Sequence, residues 1–332
     1  MTKHNTYIED SEIIELSEET ASFAVGEMFA EEIQNYASKV SVLDSDFYIM
    51  KKKLINIYPK YYKEVCDRAS GAKVDSDKYL AIVSYEFREQ LIEKCTDIFI
   101  KKDDGAILAG HNEDGVYSAK SSSLIKYITE HGWYVDFSCA ESLPTTSYLW
   151  NSNGLIITMN YVHTRYKKMD EISSWFILRD IVECGSIDEI LKKIGMAKTA
   201  SGFNINVIDT KINKAYSVEY CIDRTNVMEI TDKFVHTNHL LRLEDGYYPE
   251  SSNTFNRFKY CSDHLLSLDK SKLTIGDIKM ILEHKNDDYM YTIHLDNGPD
   301  GSVTGSLLLF DSDQKIIQIY DYINNKKLTF RL

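Results

Sequence analysis

Cysteine has the widest covalent chemistry of any residue type in this sequence, and Cys95 stands where that chemistry can be used. A thiol becomes a nucleophile once it is deprotonated. At Cys95 a helical texture gives way to the run Cys95-Thr96-Asp97-Ile98-Phe99-Ile100-Lys101. A second aliphatic run, Gly105 to Asn112, follows immediately after Asp103 and Asp104, and together they form a hairpin signature. Taking Asp104-Gly105 as a two-residue turn sets Cys95 directly across from Asp114, with Cβ atoms about 4.5 to 5.5 Å apart. A thiol would then lie beside a carboxylate at the edge of a sheet. Spacing alone favours the plainer reading, in which Cys95 is a small buried core residue.

Three further positions have side chains suited to acyl chemistry. Asn160 lies near the end of the apolar run Gly154 to Val162, Asn238 lies in His236-Thr237-Asn238-His239, and Arg257 lies in a polar helical stretch. Side-chain amides can donate to an oxyanion. Taken singly, the two asparagines read as turn or cap residues and Arg257 as a surface ion pair. His236 and His239 are spaced as metal ligands sometimes are, yet no cysteine or carboxylate accompanies them at a telling interval. We read them as packing the loop around Asn238, and expect neither metal nor cofactor. Trp133, Trp150 and Trp175 read as core, although Tyr148 and Trp150, just before Gly154, are candidates to line an acyl pocket. A conventional thiol hydrolase pairing Cys139 with His163 or His236 is a competing enzyme reading.

The elements that must position these residues follow from periodicity. Residues 1 to 94 read as helical: Gly26 to Val40, Asp46 to Tyr58 closed by Pro59, and Asp75 to Glu93, where Leu80, Val83, Phe87 and Leu91 recur at three or four. Asp75 is a plausible N-cap, and Pro59 can open a further helix at its first turn. Strands are predicted at Leu124 to Ile128, Trp133 to Cys139, Gly154 to Val162, Gly202 to Ile208, Lys214 to Cys221, Lys233 to Thr237, Ser302 to Phe310 and Lys315 to Tyr322. Helices interrupt them at Glu171 to Ile194, with a capping box at Ser186 and Glu189. They do so again at Ser252 to Leu268 and Ile275 to Glu283, the last opened by Thr274 with Asp277. This is not the alternation of a doubly wound sheet; an α+β sandwich with outer helices fits it.

Several motifs, in order, resemble the isopenicillin N acyltransferase family of N-terminal nucleophile hydrolases and, more distantly, choloylglycine hydrolases. Cys95-Thr96 resembles the family's Cys-Thr start, and Gly110-His111-Asn112-Glu113-Asp114 its Gly-Arg-Asn-Trp-Asp segment. Asn153-Gly154-Leu155 through Asn160 resembles a strand ending in an oxyanion asparagine. His236-Thr237-Asn238-His239 resembles its His-Thr-Asn-His, and Arg257, after Glu250-Ser251, an active-site arginine. The resemblance implies a four-layer αββα sandwich and a precursor that cleaves itself between Lys94 and Cys95. Residues 1–94 would remain bound as a small subunit, and residues 95–332 would form the catalytic domain. It further implies Cys95 as nucleophile with its own α-amine as base, Asp114 holding that amine, Asn160 and Asn238 as oxyanion donors, and Arg257 tuning the charge. Thr96, His111, Tyr148 and Trp150 would meet the substrate, an amide, peptide or thioester acyl donor. Two departures stand out. Lys94 replaces the usual glycine, and its bulk would hinder self-attack; His111 replaces the usual arginine. If Lys94 blocks maturation, the scaffold would instead be a catalytically silent small-molecule-binding protein.

Composition bounds the setting. The chain has 332 residues, 43% of them hydrophobic, with 15 Gly and 4 Pro, which suits a protein with an ample core rather than a disordered or fibrous one. With 51 acidic against 38 basic residues the formal net charge is -13, so nucleic acid and anionic membranes are not expected partners. Six dispersed cysteines, an acidic N-terminus and no run of about 20 apolar residues lead us to expect a reduced, cytoplasmic protein, with homo-oligomerisation left open.

Overall fold

The structure, a computed structural model, describes residues 8–9, 13–41, 43–87, 94–118, 120–144, 147–244 and 252–332. The N-terminal third is helical for the reasons its sequence gives. Helices α1 (Glu18–Met28) and α2 (Ala30–Lys39) break at Phe29, and α3 (Ser45–Ile57) starts on Asp44, whose carboxylate accepts from the Phe47 amide. Pro59 opens α4 (Pro59–Gly71), and Asp75 caps α5 (Ser76–Val83) by accepting from the amides of Asp77 and Lys78. Such a cap is worth about 0.5–2 kcal/mol. A short 3₁₀ turn, Tyr85–Phe87, follows. The predicted continuation through Leu91 to Glu93 lies outside the described residues, as do Glu250 and Ser251.

That third is not purely helical, however. Two short strands, β1 (Ile8–Glu9) and β2 (Ile14–Ser17), precede the helices. The chain then runs through β3 (Thr96–Lys101), β4 (Ile107–Gly115), β5 (Ser122–Thr129), β6 (Gly132–Cys139), β7 (Tyr148–Asn151) and β8 (Leu155–Tyr161). After α6 (Ser174–Ile181) and α7 (Ile187–Met196) come β9 (Gly202–Asp209), β10 (Lys214–Cys221), β11 (Arg224–Glu229) and β12 (Lys233–His236). Helices α8 (Thr254–Ser267) and α9 (Ile275–Leu282) precede β13 (Val303–Asp311), β14 (Ile316–Asp321) and β15 (Lys326–Arg331).

Among the described residues these strands form two sheets. One has the order β1-β15-β14-β13-β4-β3-β12 and the other β11-β10-β9-β8-β7-β6-β5-β2. Side chains alternate across each strand, so each sheet buries two faces. Phe99, Ala109, Leu308 and Phe310 of the first sheet meet Phe137, Trp150, Ile156 and Ile208 of the second in one core between the sheets. On the outer face of the first, Ile98, Ile100, Leu108 and Leu309 pack on Ile278, Ile281 and Leu282 of α9 and Cys261 and Leu265 of α8. On the outer face of the second, Ile157, Met159, Ile205 and Val218 meet α1 to α7. The result is the expected four-layer αββα sandwich. Helix α9 sits so close to β4 that a Cβ on Gly110 would come within 2.5 Å of Ile278.

Candidate active site

Strand β3 and its two neighbours set the site. The β3–β4 loop has three residues, Asp103-Asp104-Gly105, with Gly105 at φ +91° and Lys102 N–H bonded to Ala106 O at 2.8 Å. A three-residue loop with glycine in the left-handed region displaces the pairing by one residue from the two-residue turn expected. Thr96 therefore pairs with Asn112, and Lys94 N–H reaches Asp114 O at 3.1 Å. One residue of register reverses every side chain's face. Hence Cys95 stands across from Glu113, not Asp114, and the carboxylate beside the thiol is one the sequence reading did not select.

On the face between the sheets a buried hydrogen-bonded array results. The Cys95 thiol donates to Glu113 Oε2 at 3.4 Å, and His111 Nε2 donates to the same oxygen at 3.3 Å. His111 Nδ1 donates to Asp97 Oδ1 at 3.0 Å, which also accepts from Thr158 Oγ1, on β8 of the facing sheet, at 2.8 Å. Tyr117 OH donates to the other oxygen of Glu113. Cys95, Asp97, His111 and Glu113 are all at most 1% exposed. Burial pushes His111 down, but Asp97 and Glu113 outweigh it and raise the imidazole to about 10. The shift favours the protonated imidazole at neutral pH.

The opposite face of β3 carries the arginine. Arg257 on α8 is buried; its Nη1 donates to Cys95 O at 2.6 Å and Thr96 Oγ1 at 2.8 Å. Its Nη2 reaches Asn238 Oδ1 at 2.6 Å and its Nε Asn253 Oδ1 at 2.9 Å. It is no surface ion pair. Asn238 follows β12, where His236 pairs with Asp97, so two residues further in the same register it falls beside Cys95. Its amide group donates to Tyr161 O at 3.0 Å, leaving a second hydrogen to give. His239 packs this loop, its Nδ1 bonded to Thr254 Oγ1 at 2.9 Å, and the same hydroxyl accepts from Asn238 N–H at 2.9 Å.

Asn160 lies on the inward face of β8, two residues beyond Thr158. Its oxygen accepts from Asn204 Nδ2 at 3.0 Å, while its own buried Nδ2 has no protein acceptor. A buried donor without an acceptor is costly and calls for a functional explanation. Asp114 projects with Arg257 and Thr304, accepting from Thr304 Oγ1 at 2.6 Å, and its Oδ2 is buried and unpaired. Burial, against the pull of Arg257 and Thr304, pushes this carboxyl up to about 7. Lys94 is tethered aside: its ammonium meets Asp300 and Ser302 Oγ and lies 4.7 Å from the Tyr289 ring centroid.

Of the expected substrate-facing residues, Tyr148 lies in the inter-sheet layer, 5.9 Å from the His111 ring, with its hydroxyl on Ser306 Oγ at 2.6 Å. Trp150 is one pair deeper, 4.8 Å from Phe330. Thr96 lies under Arg257 on the face away from the thiol. Cys139 is in the inter-sheet core with its thiol on Phe137 O, while His236 faces Glu219 at 3.3 Å and the His163 ring lies 5.1 Å from Tyr161.

The sequence reading also missed a polar stripe beside Asn160. Asn204, Asn206, Ser217 and Glu219 all turn inward from β9 and β10. Ser217 donates to Asn204 at 3.0 Å, Arg242 to Ser217 at 3.1 Å, and Glu219 accepts from the amides of Leu241, Arg242 and Leu243. Although burial pushes Glu219 up, His236, the Leu241 amide and Arg242 bring it down to about 2. Polar residues at a period of two within apolar strands were the available signal.

Comparison with known proteins places the chain in a family. The acyl-coenzyme A:6-aminopenicillanic acid acyl-transferase family model matches residues 100–320. The 40 kDa form of acyl-coenzyme A:6-aminopenicillanic-acid-acyltransferase from Emericella nidulans is 27% identical over 239 residues, 66% of this chain and 61% of that relative. Among solved structures, a mutant conjugated bile acid hydrolase from Clostridium perfringens aligns with a TM-score of 0.49 at 15% identity, over 72% of this chain and 92% of that one. Penicillin V acylase from Agrobacterium tumefaciens aligns at 0.45 and 12%, over 70% and 84%. With more than half of its length matched by the family model, the chain belongs to the acyl-coenzyme A:6-aminopenicillanic acid acyltransferase family.

Proposed function

We propose that this protein is a self-cleaving acyltransferase or amidohydrolase with Cys95 as nucleophile, acting on a small amide, peptide or thioester acyl donor. One observation carries the reading most: the thiol of Cys95 lies against a proton acceptor while Arg257 grips its backbone carbonyl and Asn238. In the first step the α-amine does not yet exist, so Glu113 takes the thiol proton. Cys95 Sγ attacks the carbonyl carbon of Lys94, the C–N bond breaks and the nitrogen is protonated. Water then hydrolyses the resulting thioester, leaving a carboxylate on Lys94 and a free thiol and amine on Cys95. Because the Lys94 side chain is tethered to Asp300 and Ser302, its bulk is held to one side of this attack.

In the mature site the new α-amine, near pKa 8 when unperturbed, becomes the base. The unpaired Oδ2 of Asp114 suits an incoming ammonium. The free amide hydrogens of Asn160 and Asn238 suit an oxyanion, each such donor being worth about 2.7–4 kcal/mol. His111, held protonated, restores the positive charge that the family's usual arginine would supply. The acyl-enzyme then passes its acyl group to water or an amine. Residues 1–94 would stay bound, since their helices share one core with the second sheet.

The test is the intact mass of freshly purified protein beside Cys95→Ala. Two fragments meeting at Lys94 and Cys95 in the wild type, and one chain in the variant, are expected. A wild-type chain that stays whole for days while turning over an acyl substrate would overturn the proposal.

A further inference from the structure

We propose that the uncleaved chain binds one Zn²⁺ through Cys95 Sγ, His111 Nε2 and Glu113 Oε2, and that the ion holds the precursor latent. This goes beyond acyl transfer, because it needs three side chains and no broken backbone. Among the described residues, these three ligand atoms lie within 4.8 Å of one another, all in buried residues. Tetrahedral zinc, with Zn–S about 2.3 Å and Zn–N and Zn–O about 2.0–2.2 Å, needs its ligand atoms about 3.4–3.6 Å apart. The Sγ to Oε2 and Oε2 to Nε2 separations are 3.4 and 3.3 Å.

The surrounding bonds favour a metal as well. His111 offers Nε2 inward because its Nδ1 donates to Asp97, the carboxylate–histidine arrangement that orients zinc ligands. Glu113 turns Oε2 inward because Tyr117 holds its other oxygen. Tyr117 is half-buried between exposed Val116 and Ser118, so the cluster lies one residue below the surface. A thiolate and a carboxylate neutralise a divalent ion, and the thiolate selects a thiophilic one. On binding, Zn–S, Zn–N and Zn–O bonds form, the thiol proton and the Nε2 proton that otherwise goes to Glu113 leave to solvent, and water completes the fourth position. Coordination draws charge from the sulfur and lowers its nucleophilicity, so the attack on Lys94 is suppressed until the ion leaves.

The experiment uses the full uncleaved chain, freed of metal by chelation and titrated at once with Co²⁺, with intact mass before and after the titration showing that Lys94 and Cys95 are still joined. A thiolate-to-cobalt charge-transfer band saturating at one equivalent and displaced by Zn²⁺ is expected. Tyr117→Phe should weaken Co²⁺ binding by about 10-fold, the low end for a group that orients a ligand. Cys95→Ala should abolish the band, and Cys66→Ala should leave it unchanged. Circular dichroism of each variant checks that it folds. No band, or a band that survives Cys95→Ala, overturns the site. Because the spectrum requires neither cleavage nor turnover, its failure is distinguishable from failure of the acyl-transfer reading.

Discussion

Replacing Glu113 with glutamine tests the first proton transfer directly. Glutamine keeps the length of the side chain and can still accept from Tyr117, so its volume in the array is preserved; what goes is the carboxylate oxygen that accepts from the thiol at 3.4 Å and from His111 Nε2 at 3.3 Å. General-base catalysis contributes about 10²–10⁴-fold. The new amide can donate to the thiolate and recover part of that loss, so the lower end applies. Self-cleavage of Glu113→Gln should be about 100-fold slower, or about 2.7 kcal/mol in barrier. The assay is a pulse of cell-free synthesis followed by intact mass at timed intervals, which reads precursor and fragments together. If Glu113→Gln matures within a factor of three of the wild type, Glu113 is not the acceptor and the array is structural.

Two other substitutions separate chemistry from folding. Asn160→Ala removes a donor with no acceptor of its own; Asn204 retains Asn206 Oδ1 at 3.2 Å, and Asn206 Nδ2 gives up only a long 3.5 Å contact. Turnover should fall about 10²–10³-fold, while denaturant unfolding shows a loss below about 1 kcal/mol; comparable losses in both would defeat the oxyanion role. Asp114 is raised to about 7 from the ordinary carboxylate range, so between about pH 4 and 7 the folded precursor binds more protons than the unfolded chain. Stability contributed by Asp114 is therefore full at low pH and declines through that window. In the uncut Cys95→Ala background, Asp114→Asn should flatten the fall in melting temperature between pH 4 and 7; an unchanged slope would refute the assignment.

Much of the scaffold is legible in the sequence because local chemistry decides it. Asp75 and Thr274 cap where expected, Pro59 opens a helix, and Lys214 to Cys221 forms a strand over that span. Ser186 accepts from the Glu189 amide, although Glu189 turns its own carboxylate to Gly185 N–H rather than closing the box. What is less legible depends on pairing. Tyr148–Asn151 is too short to show alternation, and Arg224–Glu229 is a largely polar edge strand. Fully buried β4 carries no alternation to reveal which residues face which layer, so an assumption about the turn set the parity and selected Asp114 over Glu113. The roles proposed for Arg257, Asn238 and Asn160 come from ordered motifs, whereas the meeting of Arg257 and Asn238 at Cys95 needed α8 and the β12 register, and the approach of β8 to β3 through Thr158 and Asp97 needed the facing sheet.

The N-terminal segment adds β1 to the edge of one sheet and β2 to the edge of the other, with α1 to α5 lying between them and β3 among the described residues. A cut after Lys94 would thus turn one folding unit into a two-chain assembly without removing a contact. Forward folding is unimolecular, whereas recovery after denaturation would become a second-order encounter, sensitive to dilution. The precursor should refold at any concentration, and the mature protein should behave as if it had folded only once.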